Sequence, residues 1–181
     1  NESGPNMPAT ADLHALGQSL WLDNITRDLL DDGTLERYIR DLSVTGLTSN
    51  PSIFQKAIAG SKSYESQIRE LETAGLDTEQ LFFELAMADL RRAADLFKPV
   101  HAATAGIDGW VSLEVSPLLA NDTDSTIAQA KDLHARAARE NLYIKVPGTP
   151  EGIPAIEELI FAGVPINVTL LFSREIGRAH V

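Results

Sequence analysis

A lysine inside an apolar run is the residue of this chain whose type and setting point most directly to chemistry. Lys145 lies in Leu142-Tyr143-Ile144-Lys145-Val146-Pro147-Gly148, between a helical-looking segment and a Gly/Pro turn, and the run reads as a buried strand. Side chains alternate along a strand, so Tyr143 and Lys145 share one face while Leu142, Ile144 and Val146 share the other. An ammonium is rarely buried unless paired, and desolvation favours the neutral amine. A neutral amine attacks carbonyl carbon and yields a Schiff base. Taken alone, the run fits more simply an edge strand with a solvated lysine.

Other polar residues fall at comparable places. Asp23 closes Ser19-Leu20-Trp21-Leu22-Asp23, Glu114 comes late in Gly109–Val115, and Asn50 directly follows Val44–Thr48. Asn167 and Thr169 share one face of a strand expected over Pro165–Phe172, opposite Ile166, Val168 and Leu170. Each has a plain reading of its own. Asp23 and Asn50 are candidate helix caps, Glu114 a solvated strand end, and Asn167 with Thr169 the polar face of an edge strand. In a parallel barrel, however, the C-terminal ends of the strands converge on one mouth that holds the active site. Taken together with a lysine, the set suits carbonyl chemistry. Lys145 attacks a ketone, and the iminium becomes an electron sink for carbon–carbon cleavage. One carboxylate takes the proton of the hydroxyl that becomes an aldehyde. Another acid, through water, helps expel hydroxide from the carbinolamine. The amides and hydroxyls hold substrate hydroxyls. Metal chemistry is the weaker explanation, because His14, His101, His134 and His180 are scattered and off the strand ends, which suggests surface positions.

The elements that must position these residues alternate. After a polar lead-in, the first short strand is followed by a short helix, a turn at Asp31-Asp32-Gly33, and a helix from about Thr34, with Thr34 as its N-cap. The strand Val44–Thr48 leads to a helix opened by Pro51 and capped by Asn50. Further helices are expected over Tyr64–Thr73 and about Thr78–Phe97, the latter ended by Pro99. A helix over about Asp124–Glu140 precedes the lysine strand, and one over Glu151–Ala162 follows it. Strand–helix alternation without hairpin signals argues for a parallel α/β sheet. No GxGxxG or Walker loop is present, so nucleotide-binding readings find no support.

With 181 residues, 44% hydrophobic and 23% charged, the chain is long enough for one globular domain with a substantial core. A net charge of -11 argues against a nucleic-acid surface. The absence of cysteine excludes disulfides and thiolate chemistry and is compatible with a cytoplasmic location. No run has the length of a transmembrane helix, and the first residues lack a signal-peptide pattern. Asn1 precedes the first methionine, Met7, which suggests a processed start or a fragment.

The segments GLTSNPSIFQKAI, SLEVSP, LYIKVPGTPEG and INVTLLFS resemble those of transaldolase, in that family's order, over about residues 16–174. The long bacterial subgroup looks most similar. The resemblance implies an (α/β)8 TIM barrel and transfer of a dihydroxyacetone unit from a ketose phosphate to an aldose phosphate. The donor would be sedoheptulose 7-phosphate or fructose 6-phosphate, and the acceptor glyceraldehyde 3-phosphate or erythrose 4-phosphate, in the non-oxidative pentose phosphate pathway. It implies no metal or organic cofactor, sugar phosphates as the partners, no nucleic acid or membrane, and a homodimer of the full-length parent as a further expectation. By position, Lys145 matches the Schiff-base lysine and Asp23 the acid/base serving the hydroxyl at the cleaved bond. Glu114 matches the acid that works with a bound water, and Thr169 the hydroxyl that positions this water. Asn50 and Asn167 match the amides that hold the dihydroxyacetone moiety, and Thr48 is a lining residue.

Such a barrel needs eight strands and typically ~250 residues. This sequence supplies five, so the expectation is a truncated partial barrel without the phosphate-binding part, itself little active. Residues 1–15 read as a mobile lead-in, 16–174 as the partial barrel, and 175–181 as a non-native tail, because Ile176–Val181 resembles translated adapter sequence. A lyase acting on fructose 6-phosphate and a non-catalytic sugar-phosphate-binding partial barrel are the alternatives.

Overall fold

A computed structural model describes residues 9–174. The expected tail at 175–181 lies outside the described residues, as does most of the lead-in. Within 9–15 a short helix, α1 (Ala9–Ala15), forms without burying any residue.

The strands are β1 (Leu20–Leu22), β2 (Val44–Thr48), β3 (Trp110–Glu114), β4 (Leu142–Pro147) and β5 (Ile166–Thr169). They form one parallel sheet in strict sequence order, β1-β2-β3-β4-β5. Sequential parallel strands with helical crossovers have the connectivity of an (α/β) barrel, here five strands of it. The chain divides into two compact units between Val111 and Ser112, inside β3.

In the first unit, α2 (Arg27–Asp31) and α3 (Thr34–Leu42) precede β2, and α4 (Pro51–Gly60), α5 (Glu65–Thr73) and α6 (Thr78–Ala103) follow it. The long α6 starts from a capping box. Gln80 N–H donates to the Asp77 carboxylate at 2.8 Å, and Asp77 N–H to the Gln80 side chain at 3.1 Å. Its inner face buries Leu85, Met87, Leu90, Ala93 and Phe97 completely. At roughly 1.5–3 kcal/mol for each large apolar side chain, this face contributes substantially to the unit's stability, alongside Ile25, Leu35, Leu47, Phe54 and Tyr64 from outside α6.

Three expectations change here. Thr34 is not the cap of α3. Gly33 holds that position with φ 75°, a left-handed turn that glycine adopts without a Cβ penalty, and Thr34 is the first helical residue. Pro99 does not end α6, which runs on to Ala103. Proline removes only one helical donor, and the last turn is held from outside. The Trp110 ring meets the His101 ring edge-on at 4.7 Å, and His101 Nδ1–H donates to the Asp108 carbonyl at 3.0 Å. That also leaves His101 half-buried rather than fully exposed.

In the second unit, α7 (Thr123–Ala137) lies between β3 and β4, and α8 (Gly152–Phe161) between β4 and β5. Asp122 caps α7, accepting the Ser125 N–H at 3.0 Å. His134 on α7 is half-buried, with its Nδ1 enclosed and unbonded, so the surface reading fails for it too. The fifth strand is shorter than expected. It stops at Thr169 because Leu170 takes φ 65°, which extended backbone does not allow, and Leu170, Leu171 and Phe172 are exposed. Among the described residues, no helix is long and apolar enough to cross a membrane.

Candidate active site

The alternation expected of the lysine strand is present. Leu142, Ile144 and Val146 are fully buried on one face of β4, while Tyr143 and Lys145 stand on the other. β4 lies between β3 and β5, so the edge-strand reading is set aside. Backbone bonds fix its level against both neighbours. The Val115 N–H donates to the Lys145 carbonyl at 3.1 Å, and β4 pairs with β5 in the register Lys145 to Asn167 and Pro147 to Thr169.

This register gathers polar side chains onto one face. Ser112 and Glu114 are two apart on β3 and share a face, as do Asn167 and Thr169 on β5. Lys145 Nζ lies 3.4 Å from Glu114 Oε2, with only 15% and 19% of the two side chains exposed. That distance is an ion pair but exceeds the roughly 2.7–2.9 Å of a tight charge-assisted hydrogen bond. The carboxylate is within reach of the amine without enclosing it, so a proton can pass to or from the nitrogen and the nitrogen still has room to bond to carbon. Asn167 Nδ2–H donates to Ser112 Oγ at 2.9 Å, which fixes the amide's orientation from a fully buried hydroxyl. Ser112 was missed in the sequence. The available signal was its place two residues before Glu114 on the same strand face.

The remaining candidates belong to the first unit. Asp23 follows the last residue of β1 and is exposed. It does not cap the next helix, because Thr26 does, its hydroxyl accepting the Leu29 N–H at 3.1 Å. Thr48 is the last residue of β2 and half-buried. Asn50 is a cap, as one of its readings held: its side-chain oxygen accepts the Ser52 N–H at 3.0 Å and its carbonyl the Phe54 N–H at 2.9 Å. Beneath this end of the unit Trp21 pairs with Gly46, and any Cβ at Gly46 would overlap the Trp21 indole. Glycine is therefore what allows the ring to lie across β2. Among the described residues, no group of three or more acidic or histidine side chains is placed to hold a metal ion.

The first unit also contains a polar cluster that sequence patterning does not reveal. Arg27 Nε pairs with the fully buried Asp89 at 2.9 Å, and the Tyr64 hydroxyl donates to the other Asp89 oxygen at 2.8 Å. The Arg27 backbone N–H donates to the Tyr64 oxygen at 2.8 Å, and the guanidinium stacks 4.4 Å from the Tyr64 ring centre. Burial raises the Asp89 carboxyl above the ordinary aspartate range, opposed by the Arg27 charge and the hydrogen bonds from Tyr64 and Arg27. Burial, with the Asp89 charge beside it, pushes the Tyr64 phenol upward as well.

A sequential parallel α/β sheet with a lysine–carboxylate pair at neighbouring strand ends defines the barrel-type α/β class. Comparison with known proteins is more specific. The family described as transaldolase/fructose-6-phosphate aldolase matches residues 20–181. A transaldolase of Thiobacillus denitrificans is 50% identical over 167 residues, 92% of this chain and 46% of that protein. A transaldolase of Acidothermus cellulolyticus is 48% identical over 163 residues, 90% of this chain and 44% of that one. Transaldolase 2 of Nostoc punctiforme is 45% identical over 159 residues, 88% and 42% of the two chains. The chain belongs to the transaldolase/fructose-6-phosphate aldolase family. It spans less than half the length of these relatives.

Proposed function

We propose that the protein carrying this chain is a transaldolase that works through a Schiff base on Lys145. The observation that carries this reading is the Lys145–Glu114 pair, 3.4 Å apart and mostly out of water on a central strand, in a chain of this family. Lys145 Nζ attacks the ketone carbon of a ketose phosphate such as sedoheptulose 7-phosphate or fructose 6-phosphate. The carbinolamine loses its hydroxyl as water, with Glu114 supplying the proton through a water that Thr169 positions. Asp23, by its place in the WLDNI motif, takes the proton of the hydroxyl beyond the scissile bond. That carbon–carbon bond breaks, its electron pair passes into the iminium, and an aldose phosphate leaves. The remaining enamine adds to the aldehyde of a second aldose phosphate, whose oxygen receives the proton, and hydrolysis frees Lys145. Asn167, Asn50 and Thr48 hold the hydroxyls of the three-carbon unit. The reading extends to the non-oxidative pentose phosphate pathway, a cytoplasmic location and a homodimer of the longer protein.

The test is borohydride trapping of the full reading frame with fructose 6-phosphate. A single covalent adduct on the Lys145 peptide is expected, and Lys145→Ala should lower turnover by roughly 10⁴-fold or more. An adduct that survives Lys145→Ala refutes the nucleophile. The family description also names fructose-6-phosphate aldolase. Turnover that depends on an added aldose phosphate separates transfer from simple cleavage.

A further inference from the structure

We propose that Thr149 is a positioning residue that holds together the three strand ends bearing Glu114, Lys145 and Thr169; this rests on the Schiff-base reading above. After Glu114 the chain runs through the loop that ends at Ala120, and after Lys145 through Pro147 into residues 148–151. The Thr149 hydroxyl joins these two loops. It donates to the Ala120 carbonyl at 2.6 Å and accepts the Gly152 N–H at 3.0 Å. The neighbouring Gly148 N–H donates to the Thr169 carbonyl at 2.7 Å, one step past the last register pair of β4 and β5. An unbroken path therefore runs from the loop behind Glu114, through Thr149 and Gly148, to the backbone of Thr169.

Both ends of this path are braced. The loop after β3 is held from α7, where Gln129 accepts the Ser116 N–H at 2.6 Å and the Thr126 hydroxyl donates to the Leu119 carbonyl at 2.9 Å. Thr149 supplies the corresponding bond from the β4 side. On that side Gly152 packs directly on the Pro147 carbonyl, where a Cβ would overlap the oxygen. The Thr149 hydroxyl ties this seat of the loop to the loop after β3 at Ala120, and the Thr123 hydroxyl, which donates to the Glu151 carbonyl at 2.7 Å, ties the far end of the same seat to the start of α7.

The reason such a fastener matters lies in the looseness of the pair it serves. Lys145 and Glu114 are long side chains joined by one 3.4 Å contact. Their relative placement depends on the backbones beneath them, and a misplacement of about 1 Å can cost about 10²-fold in rate. Thr149 acts only through these backbones.

The experiment uses the full reading frame with Thr149→Val, which keeps the shape and removes the hydroxyl, and Thr149→Ser, which restores it. Borohydride trapping with fructose 6-phosphate counts reactive Lys145, and turnover is expressed per trapped site, so that misfolded molecules do not enter. Thr149→Val is expected to lower kcat per site about tenfold with KM within about twofold, and Thr149→Ser to return kcat to within about threefold of the parent. Thr149→Ala gives a second version of the loss should valine disturb the loop. A valine or alanine variant within about twofold of the parent per trapped site, or a loss that serine does not relieve, would overturn the proposal. If the parent itself forms no adduct at Lys145, the Schiff-base reading fails and this one falls with it.

Discussion

The two units each take a cation and a carboxylate largely out of water, and they do so differently. In the first unit, Arg27, Tyr64 and Asp89 close on one another at 2.8–2.9 Å, and Asp89 is fully buried. Both Asp89 oxygens are used, and the Tyr64 oxygen both donates and accepts. In the second unit, Lys145 and Glu114 make one contact at 3.4 Å and keep 15% and 19% exposure. The residue types match the difference. Arginine stays charged and binds through a fixed fork, whereas lysine can give up its proton and become a nucleophile. A saturated cluster leaves nothing for a ligand to replace, and such a cluster stabilises only while complete. An under-bonded pair at a strand end can exchange partners, as a reaction requires. One predicts loss of stability on mutation, the other loss of rate.

Arg27→Met is the strongest way to break that contrast. It leaves Asp89 buried without its cation, and the expected cost is about 3–5 kcal/mol at neutral pH. The cost should depend on pH in a definite direction. The Asp89 carboxyl is already raised by burial, and Arg27 lowers it, so removing Arg27 raises it further. A group whose carboxyl is raised by folding contributes stability at low pH that is lost as pH climbs through its folded range. The variant's deficit should therefore be largest near pH 7 and shrink toward pH 4, as urea unfolding of the two proteins would show. A deficit independent of pH would mean that Arg27 acts by packing and stacking rather than through Asp89.

Glu114→Gln tests the other side. The amide keeps the shape and removes the charge beside Lys145. Turnover of the full reading frame is expected to fall about 10²-fold, while unfolding free energy should fall by less than for Arg27→Met, because Lys145 keeps some contact with water and Asp89 keeps none. A stability loss comparable with that of Arg27→Met, with turnover per trapped site intact, would reverse the assignment of roles.

This contrast also explains what the sequence made legible. The Lys145 face was readable because strand alternation is local: three fully buried apolar residues interleave with Tyr143 and Lys145 within six positions. Strand–helix rhythm gave the parallel sheet for the same reason. The cluster was not readable, because Arg27 and Asp89 stand 62 residues apart and Asp89 lies on an otherwise ordinary helix face. The Thr149 link to Ala120, 29 residues away, was hidden likewise. Pro99 misled because local propensity marks it as a stop, while the contacts that hold the following turn come from Trp110 and Asp108. Asn50 shows the limit from the other direction, since its capping bonds are present and leave a binding role to be tested separately.

Tyr64→Phe is the finest of these perturbations. It removes one oxygen and keeps the ring, so the stacking of Arg27 and the edge contact with Phe54 at 5.9 Å should persist. What is lost is the donor to Asp89 and the acceptor for the Arg27 N–H. Leaving those buried groups short of partners costs about 1–3 kcal/mol. The Tyr64 hydrogen bond also lowers the Asp89 carboxyl, so the deficit should again be larger near pH 7 than near pH 4, with a smaller span than for Arg27→Met, since the Arg27 charge remains. Turnover per trapped site should stay at the parent level. A change in that turnover, at a pH where the variant is fully folded, would show that the cluster reaches the chemistry, and the division between a saturated structural cluster and an open reactive pair would have to be abandoned.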